Sequence, residues 1–171
     1  EMCIRDRLNS DTEIVAEITT NHFGNFDRLR SLIIGANNAG ADSIKLQVRD
    51  VESFYTKDQL NAKYDSPFGK KFIDYRLGLE LNDEQISQVY SFCREIGINC
   101  FFSVLDKKSF LRFRKFNPER IKLPSTISNH KNYIEYVFDN FFNEIVVSTG
   151  MTNQDFIAVS YTHLTLPTIR L

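Results

Sequence analysis

"SIKLQ" at residues 43–47 and "RIKLPS" at residues 120–125 each place a lysine inside an apolar, strand-like run, both times as Ile-Lys-Leu. A lysine is rarely buried unless something pairs with it, because an ammonium is costly to strip of water. Strand side chains alternate between the two faces of a sheet. Ile44 and Leu46 therefore share one face while Lys45 and Gln47 share the other, and Ile121 and Leu123 oppose Lys122 in the same way. In a parallel sheet covered by helices both faces are enclosed, and closing that sheet into a barrel turns the second face into the interior. Interior positions near the C-terminal strand ends are where barrel enzymes carry their chemistry.

The pattern around the two lysine runs fits this reading. Short β-rich runs at 13–18, 43–47, 99–104, 120–125 and 144–149 alternate with segments of helical period, the signature of βα units and a parallel sheet. The first helix starts near Phe26 behind a possible Asn25 cap and ends at Gly40. A second starts at Asn82, with Gln85 three residues on, and stops at Gly97. A third covers about 107–116, and a fourth starts near Asn132 with Tyr133, Ile134, Val137 and Phe138 on its buried face. The expected fold is α/β, a partial TIM (β/α)8 barrel of about five N-terminal βα units. A complete barrel takes about 250 residues and eight strands. With open edges the isolated polypeptide is expected to self-associate and to be inactive.

The connection between the second strand and the second helix, "VRDVESFYTKDQLNAKYDSPFGKKFIDYRLGLEL", far exceeds an ordinary βα loop of about 2–6 residues. Its Phe54, Tyr55, Tyr64, Phe68, Phe72 and Tyr75 favour an ordered covering loop over a disordered tether. The two ends depart from the scheme. "TGMTNQD" promises a further helix capped by Thr152, yet the chain turns into the threonine-rich "VSYTHLTLPTIRL". Residues 1–8 and 159–171 read as a non-native arm and tail, leaving 9–158 as the barrel segment.

Composition narrows the class of function. The chain has 171 residues, 42% hydrophobic and 25% charged, with a formal net charge of -1, which suits an ordinary globular domain and not a nucleic-acid surface. No apolar run reaches the ~20 residues of a membrane helix and no signal core precedes the first strand, so a cytoplasmic protein is expected. Cys3, Cys93 and Cys100 are odd in number and form no Cys-x-x-Cys pair, which indicates neither a disulfide framework nor a zinc site.

Polar residues at the expected C-terminal strand ends are Glu17 and Thr19, Lys45 and Gln47, Ser103, Lys122 and Ser125, and Ser148 and Thr149. Two ammonium groups and several hydroxyls suit a small anion such as a phosphate or carboxylate, and Glu17 is a carboxylate able to move a proton or orient a hydroxyl. Singly, Ser103 or Ser148 reads as a satisfied strand-end hydroxyl, and only the set as a whole points to a ligand.

"VAEITTNHFGN", "AGADSIKLQ", "IKLPS" and "VSTGM" resemble, in order and interval, the barrel domain of the sialic acid synthase family, over about residues 13–158. Members of that family condense phosphoenolpyruvate with an N-acetylated amino sugar to a nonulosonic acid and release phosphate. The resemblance implies catalytic roles for Glu17, Lys45 and Lys122, phosphoenolpyruvate contacts for Ser103, Ser125 and Ser148, and a sugar-side role for Gln47. It further implies a divalent metal, Mn or Mg, polarising the sugar aldehyde through ligands absent from this chain, and a homodimer in the full-length form. Two departures leave the acceptor open: "FSVLD" replaces the family's "STPFD", and Thr126 and Ile127 follow Ser125 where members have Gly-Glu. His22, in the family's Asn-His-x-Gly motif, reads as a structural turn histidine. Two rival functions remain, a Schiff-base aldolase using Lys122 as nucleophile and a non-catalytic half-barrel that binds an anion.

Overall fold

The computed structural model describes residues 12–158; the expected arm at 1–8 and tail at 159–171 lie outside the described residues. Five parallel strands form one sheet in the order β1 (Val15–Thr19), β2 (Ser43–Val48), β5 (Asn99–Val104), β6 (Arg120–Leu123) and β7 (Glu144–Val147). Crossovers between parallel neighbours are carried by α1 (Phe26–Asn38), α5 (Asp83–Ile96), α6 (Lys107–Phe113) and α7 (Lys131–Asn140).

Local chemistry fixes these boundaries. The Asn25 side chain accepts the Arg28 amide at 2.8 Å to start α1. Asn82 and Gln85 cap each other's backbone at 2.8 and 3.0 Å to start α5, and Gly97 ends it at φ 77, a conformation that costs glycine nothing. Ile44, Leu46, Phe102, Val104, Ile121 and Leu123 leave the sheet on one face and meet Leu29, Ile33, Ile86, Val89, Phe110, Phe113 and Val137 from the helices. Phe102 is fully buried there, so truncation to alanine would cost about 3–5 kcal/mol.

Several boundaries differ from the sequence expectation. β6 stops at Leu123 because Pro124 has no amide to donate, and Ser125–Ile127 turn into a 3-10 helix. β7 stops at Val147, leaving Ser148 beyond the strand. The third helix changes to 3-10 geometry at Arg114–Phe116 before Asn117 takes φ 48. Residues 154–158 are helical, but their cap is Asn153, whose side chain accepts the Phe156 amide at 2.9 Å. Thr152 instead donates its hydroxyl to the Thr149 carbonyl.

The long connection is ordered. It holds α2 (Val51–Phe54), α3 (Lys57–Asn61), the hairpin β3 (Lys63–Ser66) and β4 (Gly69–Lys71), and α4 (Phe72–Gly78). Tyr55, Tyr64, Phe72 and Tyr75 pack ring against ring within it. It also touches the β1–α1 loop: a Cβ at Gly24 (φ +69) would lie 2.2 Å from the Gly78 carbonyl oxygen, and one at Gly78 would strike the Phe68 ring. Glycine at 24 lets the insertion seat against that loop, and glycine at 78 lets Phe68 pack within the insertion.

The polar face of the sheet is concave. Arg120 of β6 holds Glu13, just ahead of β1, through Nη1 at 2.6 and 2.8 Å, although β2 and β5 separate those strands. Three interstrand steps span ~14 Å in a flat sheet, so parallel side chains would not meet across it without curling. The curled parallel sheet, helices outside, is the architecture of part of a (β/α)8 barrel. Among the described residues no helix is long and apolar enough to cross a membrane.

Candidate active site

Partner positions in a parallel ladder point to the same face, so the strand register shows which residues share the concave side. Glu17 pairs with Lys45, Lys45 with Phe101, Gln47 with Ser103, Ser103 with Lys122, and Lys122 with Val146. Glu17, Lys45, Gln47, Ser103 and Lys122 therefore line one surface, with Gln47, Ser103 and Lys122 on one level across three strands. The alternation in "SIKLQ" and "RIKL" carries this arrangement directly.

Lys45 is the buried centre of the group, 6% exposed. Its ammonium is ion-paired with the Glu17 carboxylate and donates to Ser103 Oγ at 3.0 Å. Burial pushes its pKa down, the hydrogen bond and charge of Glu17 pull it back up, and the positive charge of Lys122 depresses it again. That last effect places the two lysines in one electrostatic environment. Glu17 itself keeps 44% of its side chain exposed, so its carboxylate remains accessible to a substrate hydroxyl. β1 is irregular at this point: its register slips between Glu17 and Thr19, and Thr19 adopts φ 52. A β-branched residue in that region is strained, as residues at functional sites often are.

Ser125 and Ser148 gather around a neighbouring backbone element. A Cβ placed on Gly150 would lie 3.2 Å from Ser125 Cβ and 3.7 Å from Ser148 Oγ, so glycine there leaves space beside both hydroxyls. Both serines follow strand ends, Ser148 directly after β7 and Ser125 with only Pro124 between it and the end of β6, the strand that carries Lys122. Direct contacts join Glu17, Lys45 and Ser103; the register joins Gln47 and Lys122 to them; Ser125 and Ser148 form a second group at the same end of the sheet.

His22 is buried and its Nδ1 accepts the Gly24 amide at 3.0 Å. Burial and the nearby Arg28 push its pKa down to about 4, the state of a neutral imidazole tied into a turn. Among the described residues no group of three or more His, Cys, Asp or Glu side chains could hold a metal ion.

Sequence reasoning missed a second ionic cluster at the same mouth. Arg49 Nε lies 3.2 Å from Glu80 Oε1, Arg49 Nη1 donates to the Tyr55 hydroxyl at 2.6 Å, and Arg76 Nη2 stands 3.9 Å from Glu80. The signals were there: Arg49 continues the alternation of Lys45 and Gln47 by one more step, and "LGLEL" at 77–81 hides a charge in an apolar run just as Ile-Lys-Leu does. Asp106 was also missed. Its Oδ2 accepts the Asp50 amide at 2.7 Å and its Oδ1 caps α6 through Ser109, tying the end of β2 to the end of β5.

At the opposite end, Arg120 binds Glu13 and, at 2.7 Å, Glu144, while Ser43 donates to Glu13 at 2.7 Å. A cavity of about 520 Å³ opens beside this network among Tyr90, Cys93, Arg94 and Cys100. None of the seven candidate site residues lines it.

The NeuB family profile matches residues 32–166. N-acetylneuraminate-9-phosphate synthase of Drosophila melanogaster is 28% identical over 150 residues, 86% of this chain and 40% of that protein. Pseudaminic acid synthase of Campylobacter jejuni is 29% identical over 162 residues, 86% of this chain and 44% of that protein. The crystal structure of N-acetylneuraminic acid synthetase from Leptospira borgpetersenii, in complex with citrate, superposes with a TM-score of 0.73 at 18% identity, covering 88% of this chain and 49% of that one. The chain thus spans about two fifths of the length of the curated relatives it matches.

Proposed function

The chain belongs to the NeuB family, and from that premise we propose that it is the N-terminal part of a synthase that condenses phosphoenolpyruvate with an N-acetylated amino sugar, giving a nonulosonic acid and phosphate. The observation that carries this reading is the Lys45 ammonium, buried between Glu17 and Ser103 under the influence of the Lys122 charge. Two cations on one concave face suit a small ligand with several negative charges, and the buried Lys45 acts the more strongly because the dielectric around it is low.

Lys45 and Lys122 hold the carboxylate and phosphate of phosphoenolpyruvate, with Ser103 donating beside Lys45 and Ser125 and Ser148 supplying further hydroxyls. Gln47, level with Ser103 and Lys122, faces the acceptor. The methylene carbon of phosphoenolpyruvate attacks the sugar aldehyde carbon, water adds to the resulting cation, and phosphate leaves with carbon–oxygen cleavage. The accessible carboxylate of Glu17 takes or orients a proton during these steps. A divalent metal, when bound, would polarise the aldehyde; the described residues supply no ligand set for it. The full-length form would act as a homodimer in the cytoplasm.

In a barrel completed with the remaining βα units of a relative, phosphate release should depend on both phosphoenolpyruvate and the amino sugar, and Lys122→Ala should abolish it. Borohydride with a keto acid should trap nothing. Trapped imine would establish the aldolase, and absence of phosphate release from the completed barrel would leave a binding half-barrel.

A further inference from the structure

The insertion at 51–79 begins and ends at one buried ionic cluster, two residues past Gln47. Arg49 continues the concave-face alternation of β2, and its side chain is 8% exposed. The Arg49 amide donates to Glu80 Oε2 at 3.2 Å while its guanidinium faces Glu80 Oε1 at 3.2 Å, so one carboxylate grips both the backbone and the side chain of Arg49. Arg49 Nη1 also reaches Tyr55, at the entry of the insertion, and its guanidinium lies over the Phe54 ring at 5.3 Å. Arg76, near the exit, lies between the Tyr55 and Tyr75 rings at 5.6 and 5.7 Å. The next amide along β2, that of Asp50, is held by Asp106.

Surface arginines bridge loops loosely, but this cluster is buried and incompletely satisfied. Arg49 Nε, Arg76 Nε, Arg76 Nη2 and Glu80 Oε1 have no aligned hydrogen-bond partner. Buried polar groups without aligned partners are costly and call for an explanation, a constraint at a functional site among them. Here the constraint acts on the strand that presents Gln47 and on the covering segment that meets the β1–α1 loop at Gly24 and Gly78.

We propose that Arg49 and Glu80 are positioning residues for the acceptor sugar: their pairing fixes the end of β2 beyond Gln47 and clamps the insertion as one wall of the acceptor pocket, leaving the anion site at Lys45 and Lys122 untouched. This rests on the reading of the mouth as a phosphoenolpyruvate and amino-sugar site. Strand geometry supports the division, since Arg49 is two steps, or ~13 Å, along β2 from Lys45 but one step, ~6.6 Å, from Gln47.

The test measures binding of phosphoenolpyruvate and of N-acetylmannosamine separately to the wild-type chain, Arg49→Met, Glu80→Gln and the double variant. Hydrogen exchange of the sheet amides confirms that each variant is folded. The expected result is a Kd for N-acetylmannosamine raised about tenfold or more, an unchanged Kd for phosphoenolpyruvate, and a double variant no worse than Arg49→Met, because the two residues act as one unit. Arg49→Lys, which keeps the charge but loses the guanidinium fork, should recover only part of the affinity. Variants that weaken both ligands alike, or neither, overturn the proposal while the reading of the mouth stands. A folded wild-type chain that binds neither ligand overturns that reading and the proposal with it.

Discussion

Lys45 Nζ donates to Ser103 Oγ at 3.0 Å across neighbouring strands 58 residues apart in sequence. The contact joins two concave-face side chains one level apart, since Ser103 is paired with Gln47 and Lys45 with Phe101. A lysine held in this way is a poor contributor to stability and a good anion ligand, and the two properties separate on mutation.

Lys45→Met removes a buried charge and keeps most of the volume. Removing one partner of a buried pair is costly when it strands the other charge, but Glu17 keeps 44% of its side chain exposed and stays solvated without Lys45. Chemical denaturation should give a stability within about 1 kcal/mol of wild type or above it, while phosphoenolpyruvate binding is lost. A large loss of stability together with retained binding would make Lys45 a structural residue.

His22 is neutral in the folded chain, with a pKa pushed from 6.5 down to about 4. A depressed pKa stabilises the fold above the unfolded value, and that contribution disappears as pH falls from about 6.5 through about 4. Its size is on the order of 3 kcal/mol. His22→Asn, which can keep an acceptor near the Gly24 amide, should flatten this part of a stability-versus-pH curve.

Glu80 has the opposite sign. Burial raises its pKa from 4.5 to about 7 against the pull of Arg49, Arg76 and Arg112. A carboxyl raised in the folded state contributes stability that is full below about 4.5 and is lost as pH rises through about 7, again on the order of 3 kcal/mol. Glu80→Gln should therefore steepen the loss of stability on acidification in that window, by removing the contribution that offsets His22. An unchanged slope would mean that Glu80 stays ionised beside its arginines.

Thr19 holds φ 52 beside Glu17. Thr19→Gly should relieve strain of about 1 kcal/mol, partly offset by the greater freedom of glycine in the unfolded chain. The expected outcome is a small rise in Tm with weaker phosphoenolpyruvate use in a completed barrel, since the slipped register that aims Glu17 is no longer enforced. Lower stability with undiminished turnover would contradict a positioning role for the strained turn.

The concave lysine face was legible because period-two alternation is strict: "IKL" can bury isoleucine and leucine only by sending lysine the other way. The helix caps at Asn25 and Asn82 were equally local signals. Strand ends at Leu123 and Val147 were harder to place, because termination depends on whether a neighbouring strand still offers partners, apart from the missing amide of Pro124. Arg49, Arg76 and Glu80 escaped because their partners come from opposite ends of an insertion whose path no periodicity encodes. The grouping of Ser125 with Ser148 is visible as two strand-end serines, but their common neighbour Gly150 emerges only from the folded backbone.

In the proposed site, Lys45 and Lys122 serve one anion. The most direct test is NMR observation of the two side-chain ammonium groups in the 15N-labelled chain, assigned with Lys45→Arg and Lys122→Arg, during titration with phosphoenolpyruvate. Both signals should shift along a single saturation curve with one Kd. Movement of only one lysine, two different Kd values, or no movement at all in the folded chain would contradict the shared site.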